Sequence, residues 1–318
     1  LDVMPCTQLF LNRLQPQLMI FMETELWPNL INQCATKKIK LLLINGRLSA
    51  KSLKNYQKIK ALITPTINCF DRILCQSHDN LCNFLQLSAD VDRCSVSGNL
   101  KFDISINDSV LEKQAKLTAF LPKKRAIWLV ASTHPGDEEI TLAAFKLIKK
   151  VFPNLLLILV PRHPERFSSV EKLCTNQGYS LGKRSENTVV TEQDIWLLDT
   201  LGELMPAYAL ADIITMGGSF SNIGGHNPLE PALFKKPIIV GHDMHNFTEI
   251  LTQLKQNNGV IQLPIACNSI SNTLAETVIN LLEDKNAAFE LGSQAHNVVL
   301  NNQGASDKTL AQVHDLLK

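Results

Sequence analysis

The stretch Met216-Gly217-Gly218-Ser219-Phe220-Ser221-Asn222-Ile223-Gly224-Gly225-His226-Asn227-Pro228-Leu229-Glu230-Pro231-Ala232 sets four glycines and a cluster of small polar residues between an apolar run and a helix start. A strand, a Gly-rich loop and a helix N-terminus in that order can bind an anion, because backbone N–H groups converge there and the helix dipole favours negative charge. Glu230, one turn into the helix, is placed to accept hydrogen bonds from ribose hydroxyls. The plainer alternative is a tight turn whose glycines supply positive φ. Two histidines, His134 and His163, each follow a strand-like run and are candidate polar contacts, against the alternative of structural loop histidines. His242-Asp243-x-His245 has the look of a metal site, but three residues at a turn without a fourth do not make a zinc centre.

Such residues need elements to hold them. Leu18 to Met22 and Lys40 to Ile44 are strand-length apolar runs that deliver Glu23-Thr24-Glu25 and Asn45-Gly46-Arg47 at their carboxyl ends. Pro28 suits the first turn of the following helix, and Ser49 can cap a helix from Ala50 to about Ile63. Arg72 to Gln76 and Cys94 to Ser97 read as two more strands, with Ser77 capping the helix between them, and the last runs into Gly98-Asn99-Leu100-Lys101-Phe102-Asp103. A second series follows. Ile127 to Ala131, Leu155 to Val160, Ile195 to Leu198, Asp212 to Met216 and Pro237 to Val240 are strands separated by helices, and the remainder is helical. Strands alternating with helices at this spacing mean βαβ units and parallel sheets, in which ligands bind beyond the carboxyl ends of the strands. Glu23, Arg47 and Lys101 lie there in the first series, His134 and Arg162 in the second.

The totals agree with an ordinary two-domain globular chain. There are 318 residues, 45% of them apolar, with only 14 Gly and 14 Pro, which is more chain than one compact core usually holds. Lys plus Arg (31) balances Asp plus Glu (30), so a broad nucleic-acid surface is not expected. The cysteines (Cys6, Cys34, Cys69, Cys75, Cys82, Cys94, Cys174 and Cys267) contain no C-x-x-C pair and fit a reducing compartment rather than a disulfide framework; Cys75 and Cys82 read as packing. Trp27 reads as packing too. Lys51, Lys54 and Lys58 fall on one helical face, a solvated face or a contact for anionic lipid. Ile104 to Ser109 is the expected linker, giving domains 1–103 and 104–318, with the last helix (about 305–318) able to pack back on the first.

Several segments in one order carry a resemblance: Met22-Glu23-Thr24-Glu25-Leu26-Trp27-Pro28-Asn29, Asn45-Gly46-Arg47-Leu48-Ser49, Gly98 to Asp103, Ser132-Thr133-His134, Pro161-Arg162-His163-Pro164-Glu165-Arg166, Gly202-Glu203-Leu204 and Gly225-His226-Asn227-Pro228-Leu229-Glu230. Together they resemble the 3-deoxy-D-manno-octulosonic acid (Kdo) transferases of lipopolysaccharide biosynthesis. The resemblance implies an α/β protein of two Rossmann-like lobes (GT-B type) with a cleft between them. It implies transfer of Kdo from CMP-Kdo to the lipid A precursor, with inversion, without metal or other cofactor, on the cytoplasmic face of the bacterial inner membrane. It places CMP against Pro161 and Arg162, against Leu201, Gly202 and Glu203, and against Asn227, Pro228, Leu229 and Glu230. Glu23 and Lys101 match residues that stabilise the transition state. The family's general base, a glutamate in a Ser-x-Gly-Glu motif, has no counterpart here. The reading therefore expects an incomplete first lobe, with base and membrane anchor upstream of Leu1. The alternatives are a non-catalytic nucleotide-binding module and a related GT-B transferase using another nucleotide sugar.

Overall fold

The computed structural model describes residues 2–122, 124–265 and 269–318, so Leu1 and Cys267 lie outside the described residues. The backbone forms two compact units, Leu1–Asp103 with Asn302–Lys318, and Ile104–Asn301. The first contains α1 (Met4–Leu14), β1 (Leu18–Met22), α2 (Pro28–Thr36), β2 (Lys40–Gly46), α3 (Ala50–Lys58), α4 (Lys60–Ile67), β3 (Arg72–Cys75), α5 (His78–Gln86) and β4 (Cys94–Val96). Its sheet is parallel, in the order β1-β2-β3-β4. Leu41, Leu43, Ile73, Phe70 and Phe84 are fully buried about it.

Local chemistry fixes the helix starts. The Ser49 and Ser77 hydroxyls accept from the amides of Ser52 and Asn80, each meeting one of the orphan donors of a first turn. Pro28 opens α2, and the Asp2 carboxylate accepts from the Asn29 and Leu30 amides at 2.9 Å. The register aligns Met22 with Ile44, Gly46 with Cys75 and Cys75 with Val96. Glu23, Arg47 and the segment after Val96 therefore leave the sheet along one edge.

Two expectations for this unit are corrected. The single helix over 50–63 is two helices. Ile59 turns out of the helical region (φ −119°, ψ 31°), which redirects the chain so that Ile63 and Ile67 enter the core. Cys82 is exposed, because α5 turns Asn80 and Phe84 inward. Cys75 is buried, and burial pushes its thiol up to about 12.

The second unit holds α6 (Asp108–Thr118), β5 (Ile127–Thr133), α7 (Asp137–Ile148), β6 (Leu156–Pro161), α8 (Phe167–Asn176), β7 (Leu181–Lys183), β8 (Ile195–Leu197), α9 (Leu204–Leu210), β9 (Ile213–Met216), α10 (Leu229–Leu233), β10 (Ile238–Val240), α11 (Thr248–Gln256), β11 (Ile261–Gln262), α12 (Ile270–Glu283) and α13 (Lys285–Asn302). All seven strands are parallel, in the order β11-β10-β9-β5-β6-β8-β7. Every residue of β5 and β6 is buried, as helices on both faces of a parallel sheet require. The chain builds outward from β5 to one side through β6 and to the other through β9. The ends of these three strands form the switch point at which doubly wound sheets bind ligands.

A last helix, α14 (Ala305–Leu316), belongs to the first unit. Asp103 holds its start, accepting from the amides of Gly304 at 2.6 Å and Ser306 at 2.5 Å.

Candidate active site

Register brings the second unit's polar loops together. Ala131 of β5 pairs with Met216 of β9, and Thr133 pairs with Pro161 of β6. His134, Arg162 and Gly217 thus emerge side by side. Gly217 packs its Cα against the β5 backbone: a Cβ there would lie 2.5 Å from the Ser132 carbonyl oxygen and 2.8 Å from that of Ala131. Because both obstacles are main chain, Gly217→Ala is expected to destabilise the unit by about 1–3 kcal/mol, read from denaturant unfolding; a loss within error would show that the strand ends can part.

The four glycine amides of the loop are not the open donors that its composition suggests. The Gly217 amide donates to Ala131 O at 2.7 Å, Gly218 to Asp137 at 2.6 Å, Gly224 to Asp243 at 2.9 Å and Gly225 to Gly218 O at 2.9 Å. All four glycine amides are committed within the protein. The glycines serve close approach and, at Gly218, Gly224 and Gly225, positive φ.

Three carboxylates at the start of α7 fix these loops. Asp137 accepts from the amides of His134 (2.8 Å) and Gly218 (2.6 Å), tying the β5 loop to the β9 loop. Burial pushes its carboxyl up, and these two amides oppose the shift. Glu139 accepts from the Gly136 amide. Glu138 is fully buried and meets Arg166 in a fork, Oε1 to Nη1 at 2.6 Å and Oε2 to Nη2 at 3.0 Å, while Thr133 Oγ1 donates to it at 2.6 Å. This ion pair clamps the β5 loop to the loop after β6. Sequence reading missed it, since nothing in the chain marks two residues 28 positions apart as partners.

Each residue expected around a nucleotide is found at this edge of the second unit. Arg162 is exposed, with its amide anchored to Thr133 O at 3.0 Å. Its charge reaches His134, His226 and Glu230. Pro161, Pro228 and Leu229 are buried, whereas Asn227 and Glu230 are half-buried, so these last two supply the polar contacts of their segment. Burial pushes the Glu230 carboxyl up, opposed by a hydrogen bond from Asn227 and by the Arg162 charge. Leu201, 74% exposed, leads the loop after β8. Glu203 is already engaged, with Arg184 at 3.0 Å and with Thr200 Oγ1, and Lys113 Nζ donates to Gly202 O at 3.1 Å. The Glu203 side chain therefore shapes this loop.

His134 and His163 do meet, and His226 joins them. The His134 and His226 Nε2 atoms are 2.8 Å apart, and the His163 ring stands edge-on to His134 at 5.2 Å. His242, Asp243 and His245 do not form a metal site: Asp243 holds Gly224 N and pairs with His245 Nδ1 at 2.8 Å. Among the described residues, no three His, Cys, Asp or Glu side chains cluster in a way that could hold a metal ion.

In the first unit, Glu23 and Lys101 come together at the carboxyl edge of the sheet. Glu23 follows β1 with φ 57° and donates its amide to Ile44 O at 3.0 Å. Lys101 sits on a short 3-10 turn, Leu100–Phe102, held by Asn99 and Asn45 side chains that accept from the Lys101 and Leu100 amides. Lys101 Nζ lies 3.4 Å from Glu23 Oε1, each side chain 35% exposed. Glu25 is occupied by Trp27, whose Nε1 donates to it at 2.9 Å; Trp27 itself is partly exposed and hydrogen-bonded rather than simply packed.

Two parallel α/β units with polar loops at the carboxyl ends of their strands define a protein of two Rossmann-like lobes, the GT-B type. Solved structures agree on the fold: UDP-GlcNAc 2-epimerase from Neisseria meningitidis superposes with TM-score 0.60 at 16% identity, over 98% of this chain and 79% of its own. The C-terminal CMP-Kdo binding domain of WaaA from Acinetobacter baumannii matches with TM-score 0.55 at 30% identity, over 61% of this chain and 99% of its own. The family model of the 3-deoxy-D-manno-octulosonic-acid transferases (kdotransferases) matches residues 1–104. The 3-deoxy-D-manno-octulosonic acid transferase of Haemophilus influenzae is 39% identical over 310 residues, 97% of this chain and 71% of that protein. The chain belongs to the Kdo transferase family.

Proposed function

We propose that the 104–301 unit binds CMP-Kdo and that the chain transfers Kdo from it, with inversion and without metal, to the lipid A precursor. The observation that carries this reading is the convergence of Arg162, Asn227 and Glu230 beyond the strand ends at the switch point of the second unit. An exposed Arg suits the phosphate, and a half-buried Glu beside Asn suits ribose hydroxyls. Leu201 offers an apolar rim for the base. The WaaA domain supports cytidine monophosphate over a uridine nucleotide, by similarity.

During transfer the bond from the anomeric carbon to the phosphate oxygen breaks, CMP leaves with the electron pair, and the acceptor hydroxyl bonds the carbon from the opposite face. Charge grows on the departing phosphate, where Arg162 offsets it, and positive charge grows on the sugar ring. Lys101 is assigned to the sugar's own carboxylate and Glu23 to orienting Lys101 and facing the ring charge. Neither is assigned the part of general base. The exposed lysines of α3, Lys51, Lys54 and Lys58, support a setting at the cytoplasmic face of the inner membrane. Among the described residues no helix is long and apolar enough to cross a membrane.

Titration calorimetry tests the donor site. CMP is expected to bind, UMP more weakly, and Arg162→Ala to weaken CMP by about 10- to 100-fold, the worth of one hydrogen bond to a charged group. Equal affinity for CMP and UMP would favour another nucleotide sugar; an unchanged Arg162→Ala variant would remove Arg162 from the site.

A further inference from the structure

The His134–His226 contact is more restrictive than ordinary ring packing. The two planes lie within 9° and the centroids are 5.1 Å apart. One Nε2–Nε2 separation of 2.8 Å and two ring radii of about 1.1 Å span that distance, so the rings meet edge to edge and in plane. Such a contact requires one hydrogen between the nitrogens. Two neutral rings satisfy it when one carries its hydrogen on Nε2 and the other on Nδ1. One extra proton also satisfies it, giving an imidazolium beside a neutral ring. Two imidazoliums do not, because each Nε2 would then carry a hydrogen. The couple holds no charge or one.

Its surroundings decide which. His134 is buried, with the His163 ring against it and Arg162 and Arg166 approaching from the loop after β6. His226 faces His134, His163 and Arg162. On the negative side stand Glu138, already forked to Arg166, and Asp137, already bonded to two amides. Glu165 lies 3.9 Å from His163 Nδ1 and is exposed. Burial and these cations push His226 down to about 4 and His134 below the usual imidazole range.

We propose that the His134–His226 couple is the anion-responsive element of the donor site: it is uncharged while the site is empty and takes up one proton when the phosphate of a cytidine nucleotide docks beside Arg162. The proton comes from solvent, and the cation it creates is shared by two rings at the floor of the site. This rests on the nucleotide reading of the 104–301 unit. An opposite charge within about 4–6 Å raises an imidazole by about 1–3 units, enough to carry a group from about 4 towards neutrality. A bound cytidine, lacking phosphate, leaves the couple neutral.

Calorimetry of the full chain at pH 7, in two buffers of different ionisation enthalpy, counts the protons. Uptake of up to about half a proton per CMP is expected at pH 7, growing towards one as the pH is lowered, with none for cytidine, and CMP affinity should strengthen by up to about tenfold per pH unit on acidification where uptake is complete. His226→Asn should lose the uptake. Histidine-ring NMR of the wild-type chain is the second measurement and needs no variant. Without ligand both rings should stay essentially neutral at about pH 7, only one of the two should become cationic as the pH is lowered, and inorganic phosphate should raise the pH at which it does. Uptake equal in wild type and His226→Asn, or two rings titrating independently near their ordinary value, would overturn the proposal. Failure of CMP to bind would strike the nucleotide reading instead, while the ring titrations with and without inorganic phosphate still decide the couple.

Discussion

Lys101→Ala is expected to slow Kdo transfer by about 10²–10³-fold, the usual cost of removing one preorganised charge-stabilising group, with the folded chain essentially as stable as before. Both halves of that expectation come from the geometry. Lys101 and Glu23 are 3.4 Å apart but each is about a third exposed, and ion pairs so placed contribute only about 0–1 kcal/mol to folding. The loss should therefore appear in turnover of CMP-Kdo with a lipid A precursor acceptor and leave the melting temperature alone. Glu23→Ala should slow turnover in the same direction, and a double variant should cost less than the two single losses combined, the coupling expected of two side chains 3.4 Å apart under the proposed roles. Full turnover in Lys101→Ala would remove the residue from the mechanism.

A second large effect is expected at Glu138 and Arg166, this time on stability. Removing one partner of a buried ion pair costs about 3–5 kcal/mol, chiefly because the other charge is left buried and unpaired. Arg166→Ala strands a fully buried Glu138 carboxylate, and Glu138→Ala removes both carboxylate bonds of the guanidinium, which keeps the Thr133 carbonyl at 3.2 Å, and strands the Thr133 hydroxyl. Each should lower the melting transition of the 104–301 unit by roughly 6–20 °C. Replacing both with apolar residues of similar volume should recover much of the loss. Single variants losing under about 1 kcal/mol would mean that the site relaxes enough to admit water.

Much of this molecule is legible in the chain because the relevant signals are local. The apolar runs 18–22, 40–44 and 155–160 are strands, Ser49 and Ser77 cap helices, and Pro28 begins one. The family segments lie where strands end. What escapes notice depends on neighbours distant in sequence. Strand β7 has glycine at its centre and β11 is two residues long, so neither carries an apolar period; each exists by pairing with a strand already in place. The break at Ile59 has no Gly or Pro to mark it. The glycine loop shows the same limit at the site itself. Its composition suggests free amides, yet the acceptors that occupy them, Ala131, Asp137 and Asp243, come from other strands and loops. Likewise His226 sits in a family segment, but only the fold reveals that its partner is His134, 92 positions earlier.

The return of α14 to the first unit has a consequence for biogenesis. The chain leaves that unit at Asp103 and re-enters it at Asn302, so the amides that Asp103 holds are the last of its partners to be translated. At ribosomal speeds of roughly 5–20 residues per second, the intervening stretch of about 200 residues keeps the emerging first sheet waiting on the order of 10–40 s. The second unit, by contrast, is contiguous and can close as soon as its own helices have cleared the ribosome. The first unit is thus completed only after the whole of the second has been made.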